Sequence, residues 1–196
     1  MVQTDFSFFQ GEDVVQIARN LLGKKISTNI NKEFCSGIIV ETEAYNGVFD
    51  KACHAYQNRF TKKTTVMYEP GGTVYVYLCY GIHYLLNIVT NKKGIPDAVL
   101  IRAIQPIEGV DKMVRRRNTN NLHNLGSGPG KLTKALGVNN LHNGTEVNKG
   151  IITIENMPDN NFSIVSSKRI GIDYAENHAL LPWRFYIKDS PWISKK

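Results

Sequence analysis

The stretch Ile38-Ile39-Val40-Glu41-Thr42-Glu43-Ala44-Tyr45 is an apolar run that ends in two carboxylates and a tyrosine. It reads as a β-strand, and side chains alternate across a strand, so Glu41, Glu43 and Tyr45 fall on one face. A carboxylate placed where an apolar strand runs out is a candidate general base, because burial there tunes its acidity. A surface strand lying beside the core carries the same letters, so the stretch acquires chemistry only from what surrounds it.

Working outward, residues 24–30 and 33–45 are two strands joined by a short Asn-containing turn, and Asn46-Gly47 ends the second. Upstream, Val14, Ile17, Ala18 and Leu21 follow helical spacing within residues 12–22, with Gly23 as the stop. Downstream, residues 46–65 form a polar irregular segment, and Glu69-Pro70-Gly71-Gly72 is a turn. Strands follow at 73–78 and 82–90, a hairpin with Tyr80 near its tip, and at 98–104. Pro106 predicts the start of a helix over 107–116. A polar loop over 117–127 leads through Ser127-Gly128-Pro129-Gly130 into a short helix, 131–136, closed by Gly137. Strands are expected at 150–155, 162–165, 169–172 and 184–187. Strands with scattered short helices and hairpin-length turns point to an α+β fold, a single domain over 1–196 with a mostly antiparallel sheet.

The 196 residues suffice for one sizeable core. Lys and Arg exceed Asp and Glu by 24 to 17, a net charge of +7, which favours an anionic partner such as nucleic acid. No run approaches the ~20 apolar residues of a membrane helix. Asp5 and Glu12 flank the first phenylalanines where a signal peptide would be basic and then apolar, so neither membrane nor export is expected. Cys35, Cys53 and Cys79 are odd in number and far apart, which predicts reduced thiols and a cytoplasmic location.

Tyr75, Tyr77, Tyr80 and Tyr84 crowd into ten residues. Tyrosines favour sheets for packing reasons alone. Tyr80, next to Gly81 at a turn, has less core to enter, and an exposed ring on a basic protein can wedge between bases or stack on one. Two polar residues interrupt apolar strands. Asn87 alternates with Leu85 and Val89, and Arg102 falls between Leu100 and Ile104 on one face. Each needs buried partners, either internal ones or the contents of a pocket.

Several chemistries are absent. The His-x-Glu and Pro-Cys-x-x-Cys patterns of zinc deaminases are missing. Cys53-His54 has no second ligand pair, so no metal is expected. Gly128-Pro129-Gly130-Lys131 is not a phosphate loop, though its backbone amides can still meet a phosphate. Neither a nucleophilic-serine elbow nor the aromatic motif of RNA-recognition domains is present.

Taken in order, six motifs are similar to those of the alkyladenine (3-methyladenine) DNA glycosylase family. They are Ile39-Val40-Glu41-Thr42-Glu43-Ala44-Tyr45; Ala52-Cys53-His54; Thr73-Val74-Tyr75-Val76-Tyr77-Leu78-Cys79-Tyr80-Gly81 with Asn87; Val99-Leu100-Ile101-Arg102-Ala103; Ser127-Gly128-Pro129-Gly130-Lys131-Leu132; and Arg184-Phe185-Tyr186-Ile187 with Ser190-Pro191-Trp192. The resemblance spans about residues 6–194. It implies a curved sheet with a protruding hairpin that enters the DNA minor groove. It implies hydrolysis of the N-glycosidic bond of damaged purines (3-methyladenine, 7-methylguanine, hypoxanthine, ethenoadenine) in double-stranded DNA, leaving an abasic site.

By the same resemblance Glu43 is the base that activates water, and Arg102 lies at the catalytic position near the flipped nucleotide. Tyr45 takes one face of the flipped base, and His54 and Tyr77 the other. Asn87 disfavours the exocyclic amine of guanine. Tyr80 fills the gap left in the stack, with Ile82, His83 and Lys131 as further DNA contacts. Ile82 and His83 stand where better-known members carry larger groups. Glu41 is expected to support, and no cofactor or partner protein is implied; a monomer is expected. The rival readings are a non-catalytic nucleic-acid-binding module using the aromatic hairpin, and an RNA-modifying or nucleoside-cleaving hydrolase.

Overall fold

The computed structural model describes residues 3–158 and 161–195. Eight strands and three α-helices are present among them: α1 (Val14–Asn20), β1 (Lys25–Ile30), β2 (Glu33–Tyr45), β3 (Val74–Cys79), β4 (His83–Thr90), β5 (Asp97–Glu108), α2 (Val110–Arg117), α3 (Pro129–Leu136), β6 (Ile152–Glu155), β7 (Ile164–Ser167) and β8 (Arg184–Ile187). All strand pairs are antiparallel, in the order β3-β4-β5-β2-β1-β6, with β8 added to β2 and β7 to β8. This is an α+β domain, as its turn chemistry implies. Among the described residues no helix is long and apolar enough to cross a membrane.

The quoted stretch is the axis of the sheet. β1 pairs with β2 at Glu33–Ile38, and β8 takes over at Glu41–Glu43, while β5 runs along the other edge throughout. The turn between β1 and β2 bends because Asn31 and Lys32 both adopt positive φ (54° and 63°), the conformation that matches the twist of a two-residue hairpin.

A bulge decides what faces the site. Ile39 pairs with Ile104 but Glu41 pairs with Ala103, so Val40 is an extra residue in β2; Thr42 then pairs with Ile101, leaving Arg102 extra in β5. An extra residue reverses the alternation beyond it. Cys35 and Ile39 on one side of the bulge, and Ala44 on the other, all join the main core with Val99, Ile101 and Ile104. Thr42 faces the same way and donates to the Ala18 carbonyl of α1 (2.8 Å). Glu41, Glu43 and Tyr45 are thereby turned to the opposite face. Arg102 shares that face with Leu100 but not with Ile104, contrary to simple alternation. The three helices pack on the apolar face; Leu132, Ala135 and Leu136 of α3 and Met113 of α2 are fully buried there.

Two elements differ from expectation. Pro106 lies inside β5, and the following helix begins at Val110 behind Gly109, which has a φ of 68°. β4 pairs β5 only over Asp97–Leu100, so the missing N–H of Pro106 loses no ladder bond on that side; it sits opposite the Ser36/Gly37 irregularity of β2. Residues 169–172, expected as a strand, form no ladder and instead cross the end of β2. There the Ile170 amide and the Arg169 guanidinium bond to Glu43 and to the Ala44 carbonyl.

Glu41 clamps these parts together. Fully buried, it accepts from Arg102 Nε (3.2 Å), Arg184 Nε (2.6 Å), and the amide (2.6 Å) and hydroxyl (2.8 Å) of Ser194. β5, β8 and the segment after it thus converge on one carboxylate of β2. Removing one partner from a buried charge network leaves the others uncompensated, at a cost of about 3–5 kcal/mol. Glu41→Gln is therefore expected to lower unfolding stability by about that amount in urea titrations; a loss below ~1 kcal/mol would contradict the clamp.

Candidate active site

A cleft of about 1210 Å³ runs from the face of the sheet opposite the helices, past the β3–β4 hairpin, to α3. Tyr45 from β2, Tyr75 and Tyr77 from β3, Asn87 from β4, and Leu100 and Arg102 from β5 line it, together with His54 from the loop after β2. The β3–β4 hairpin forms one wall and the N-terminus of α3, including Lys131, lies beyond it.

Glu43 is fully buried just beneath this floor. Its Oε2 accepts from the Tyr45 hydroxyl (2.7 Å) and from Arg102 Nη1 (3.2 Å), and its Oε1 accepts from the Ile170 amide (2.8 Å). A carboxylate offers about four acceptor positions, so three donors leave it with one spare. Tyr45, Arg102 and Ile170 all line the cleft, so a small molecule reaching Glu43 would pass between them. Desolvation works against the Arg102 charge, but Glu43 and Glu41 beside it outweigh that and hold its pKa above the ordinary value. Burial and the neighbouring Glu43 push the Tyr45 hydroxyl well above its usual range, so it remains a proton donor to the carboxylate.

Buried Asp97, near this end of β2, is met by the Gly47 amide and the Asn91 side chain; the other three buried carboxylates there, Glu41, Glu43 and Asp50, lie with three buried guanidinia, Arg102, Arg169 and Arg184. Their formal charges cancel, which is what burial at so many sites requires.

The opposite wall is aromatic. The His54 ring meets Tyr77 edge-on with centroids 4.5 Å apart, and its Nδ1 lies 3.0 Å from the Tyr75 hydroxyl. Its Nε2 is 3.1 Å from Lys63 Nζ. An ammonium only donates, so Nε2 accepts and the ring proton resides on Nδ1, directed at Tyr75. Burial, with Lys63 adding to it, lowers the His54 pKa to about 4. The imidazole is therefore neutral at physiological pH. Asn87 is buried and donates to the Tyr75 carbonyl (3.2 Å), which fixes its amide with the remaining polar atoms near the cleft.

At the hairpin tip Tyr80 has a φ of 50° and is 88% exposed, and Ile82 is 71% exposed. Two large apolar groups held out in water on a tight turn form a contact surface rather than core. His83 is exposed and packs on Gly130, where an added Cβ would come within 2.8 Å of the imidazole; the glycine lets α3 approach the hairpin. Lys131 is held by the Asn124 side-chain oxygen. The structure thus gathers Glu43, Tyr45, His54, Tyr77, Asn87 and Arg102 at one cleft and sets Tyr80, Ile82, His83 and Lys131 along its rim. Sequence reading passed over Asp50, Lys63, Arg169, the Ile170 amide and Ser194, all of which lie in irregular segments. Among the described residues no cluster of His, Cys, Asp or Glu is arranged to hold a metal ion.

Comparison with known proteins agrees with this arrangement. The profile of the family described as Methylpurine-DNA glycosylase (MPG) matches residues 7–191. A protein of Alkaliphilus oremlandii provisionally named a 3-methyladenine DNA glycosylase is 44% identical over 96% of this chain and 97% of its own length. Relatives bearing the same provisional name in Natranaerobius thermophilus (44% identical, 98% of this chain and 99% of theirs) and Clostridium novyi (46%, 96% of each) match as extensively. The aligned region contains the whole cleft, from the carboxylates of β2 to the strand β8 that backs them, and the chain belongs to the methylpurine-DNA glycosylase family.

Proposed function

We propose that this protein is a 3-methyladenine DNA glycosylase that hydrolyses the N-glycosidic bond of alkylated purines in duplex DNA, with Glu43 as the general base. The observation that carries the reading is a buried carboxylate with one spare acceptor position, lying beneath an aromatic cleft beside an exposed aromatic hairpin. Family membership supplies the reaction class.

The basic surface meets the phosphates, and the hairpin enters the minor groove with Tyr80 leading. The damaged nucleotide rotates out at a cost of a few kcal/mol, less where damage has weakened pairing and stacking. Tyr80 fills the gap, supported by Ile82 and His83, while Lys131 at the start of α3 meets the backbone. The base enters between Tyr45 on one side and His54 with Tyr77 on the other. N3- and N7-alkylated purines are cations, and electron-rich rings stabilise a desolvated cation by ~1–2 kcal/mol. A neutral His54 adds no repulsion of its own, so the one positive charge at this wall is the Lys63 ammonium bound to it. The Asn87 amide crowds a guanine amino group.

Glu43 then accepts the proton of a water attacking the anomeric carbon as the bond to the base breaks through an oxocarbenium-like transition state. Arg102 holds the carboxylate in place. Tyr45 and the Ile170 amide complete its orientation. In this reading water, and not a lysine amine, attacks the anomeric carbon, so the product is an abasic site and not a cleaved strand. Deaminated and bridged purines such as hypoxanthine and ethenoadenine fit the same slot. The reading takes the enzyme to be a cytoplasmic monomer without cofactor; the free thiols of Cys35, Cys53 and Cys79 accord with a reducing compartment.

Three outcomes are expected. Glu43→Gln binds alkylated duplex DNA as well as the parent protein and loses about 10²–10⁴-fold in single-turnover base release; binding with no release by the parent protein itself would instead mark a recognition module. Tyr80→Ala lowers kcat/KM on a lesion in a fully paired duplex by roughly tenfold or more, and much less on the same lesion in an unpaired loop, because the wedge acts on flipping. His54 titrates near pH 4, so its NMR signals stay constant from pH 8 down to pH 5. Its neutral folded form disfavours protonation relative to the unfolded chain, so stability falls as pH drops from ~6.5 toward that value. A His54 midpoint near pH 6.5 would contradict the buried, Lys63-bound ring.

A further inference from the structure

Behind Tyr45, on the side away from the cleft, lies a second buried ion pair that the reaction as described leaves unused. Tyr45 lines the cleft, whereas Asp50 and Arg169 do not. The Arg169 guanidinium sits 4.8 Å from the centre of the Tyr45 ring and 5.2 Å from that of Trp183, a cation held between two π-faces. Asp50 grips it with both carboxylate oxygens, one through Nη1 and the other through Nη2 at 2.9 Å, and both side chains are wholly buried. Nη1 also donates to the Ala44 carbonyl (2.9 Å) and Nη2 to the His178 carbonyl (3.0 Å). Nε has no hydrogen-bond partner among the described residues.

The pair also ties down the loop after β2, because Asp50 accepts from the Ala52 amide (3.0 Å) as well. Here a full positive charge has been placed against the ring on which a base would stack, and a fully buried carboxylate has been spent on cancelling it. The guanidinium would lie ~8 Å from a purine in van der Waals contact with the opposite face of Tyr45, near enough for an unscreened charge to matter in a desolvated site.

We propose that the Asp50–Arg169 pair sets the charge preference of the cleft: Asp50 neutralises the guanidinium behind Tyr45, so that a cationic purine can occupy the ring's other face. This rests on the glycosylase reading above. The two residues are positioning and specificity groups, since neither touches the base. Removing Asp50 leaves a positive charge behind the ring and disfavours cationic bases while leaving neutral ones nearly unaffected. Removing Arg169 leaves a negative charge and does the reverse.

The test is the ratio of kcat/KM for cationic 7-methylguanine to that for neutral hypoxanthine, both in the same duplex sequence and measured on one enzyme preparation. A ratio taken within one preparation is insensitive to how much of a variant is folded. Asp50→Asn is expected to lower the ratio about tenfold, Arg169→Gln to raise it, and the charge-balanced double variant to restore it to the parent value. A role confined to holding the loop would move both substrates together in every variant. An unchanged ratio in either single variant, or a double variant that stays shifted, overturns the proposal. If the parent protein releases neither base, the glycosylase reading itself has failed; if it releases both and the ratio does not respond, only the role of this pair has.

Discussion

The structure depends on charge placed where water is excluded. At the bulge of β2 and β5, Arg102 bonds Glu41 with Nε and Glu43 with Nη1, joining two carboxylates that are fully buried. Neither glutamate is tolerable alone at that depth. Arg184 completes the neutralisation of Glu41, and Arg169 and Asp50 form the third pair a few residues along the strand. The sheet topology follows from this constraint as much as from apolar burial. β8 joins β2 at the residues whose charges Arg184 must meet, and the segment at 169–172 crosses the strand end to deliver an amide and a guanidinium.

The two glutamates look equivalent in the sequence and separate only in their surroundings. Glu41 accepts four hydrogen bonds from β5, β8 and Ser194, and of these donors only Arg102 lines the cleft. Glu43 accepts three and lies beneath residues that line the cleft. That difference in the donors around each carboxylate is the physical content of assigning one as support and proposing the other as base. A neutral His54, six buried charges that cancel and aromatic groups on two sides favour a cation in the cleft, against the Lys63 ammonium that lines it beside Tyr77.

Much of this was legible in the residues, and the reasons are local. Asn31-Lys32, Asn46-Gly47 and Gly137 mark turns and a helix end that the backbone obeys, so β1, β2 and α3 fall close to where they were read. Alternation sets Asn87 with Leu85 and Val89, and in the sheet Asn87 and Leu85 pair with Tyr75 and Tyr77. It misplaced Ile104 relative to Arg102, because a bulge adds a residue without altering the pattern of types. Pro106 suits a helix start by its type, yet β5 accommodates it because β4 has ended before it and β2 is irregular opposite it, which are facts of the fold. Asp50 and Arg169 are 119 residues apart in irregular segments, and no periodicity connects them. The family motifs pointed to residues that gather at the cleft; they did not show that Arg102 is an internal tie between carboxylates.

The central claim is that a flipped purine lies between Tyr45 and His54 with its sugar over Glu43. The most direct measurement is a crystal structure of Glu43→Gln bound to a duplex carrying ethenoadenine, in which base release is blocked. The account predicts the Tyr80 ring in the minor groove at the vacated position, the base between Tyr45 and His54, and a water within hydrogen-bond reach of the residue 43 side chain and the anomeric carbon. A base still stacked in the helix, or an extruded base whose sugar faces away from residue 43, would contradict it.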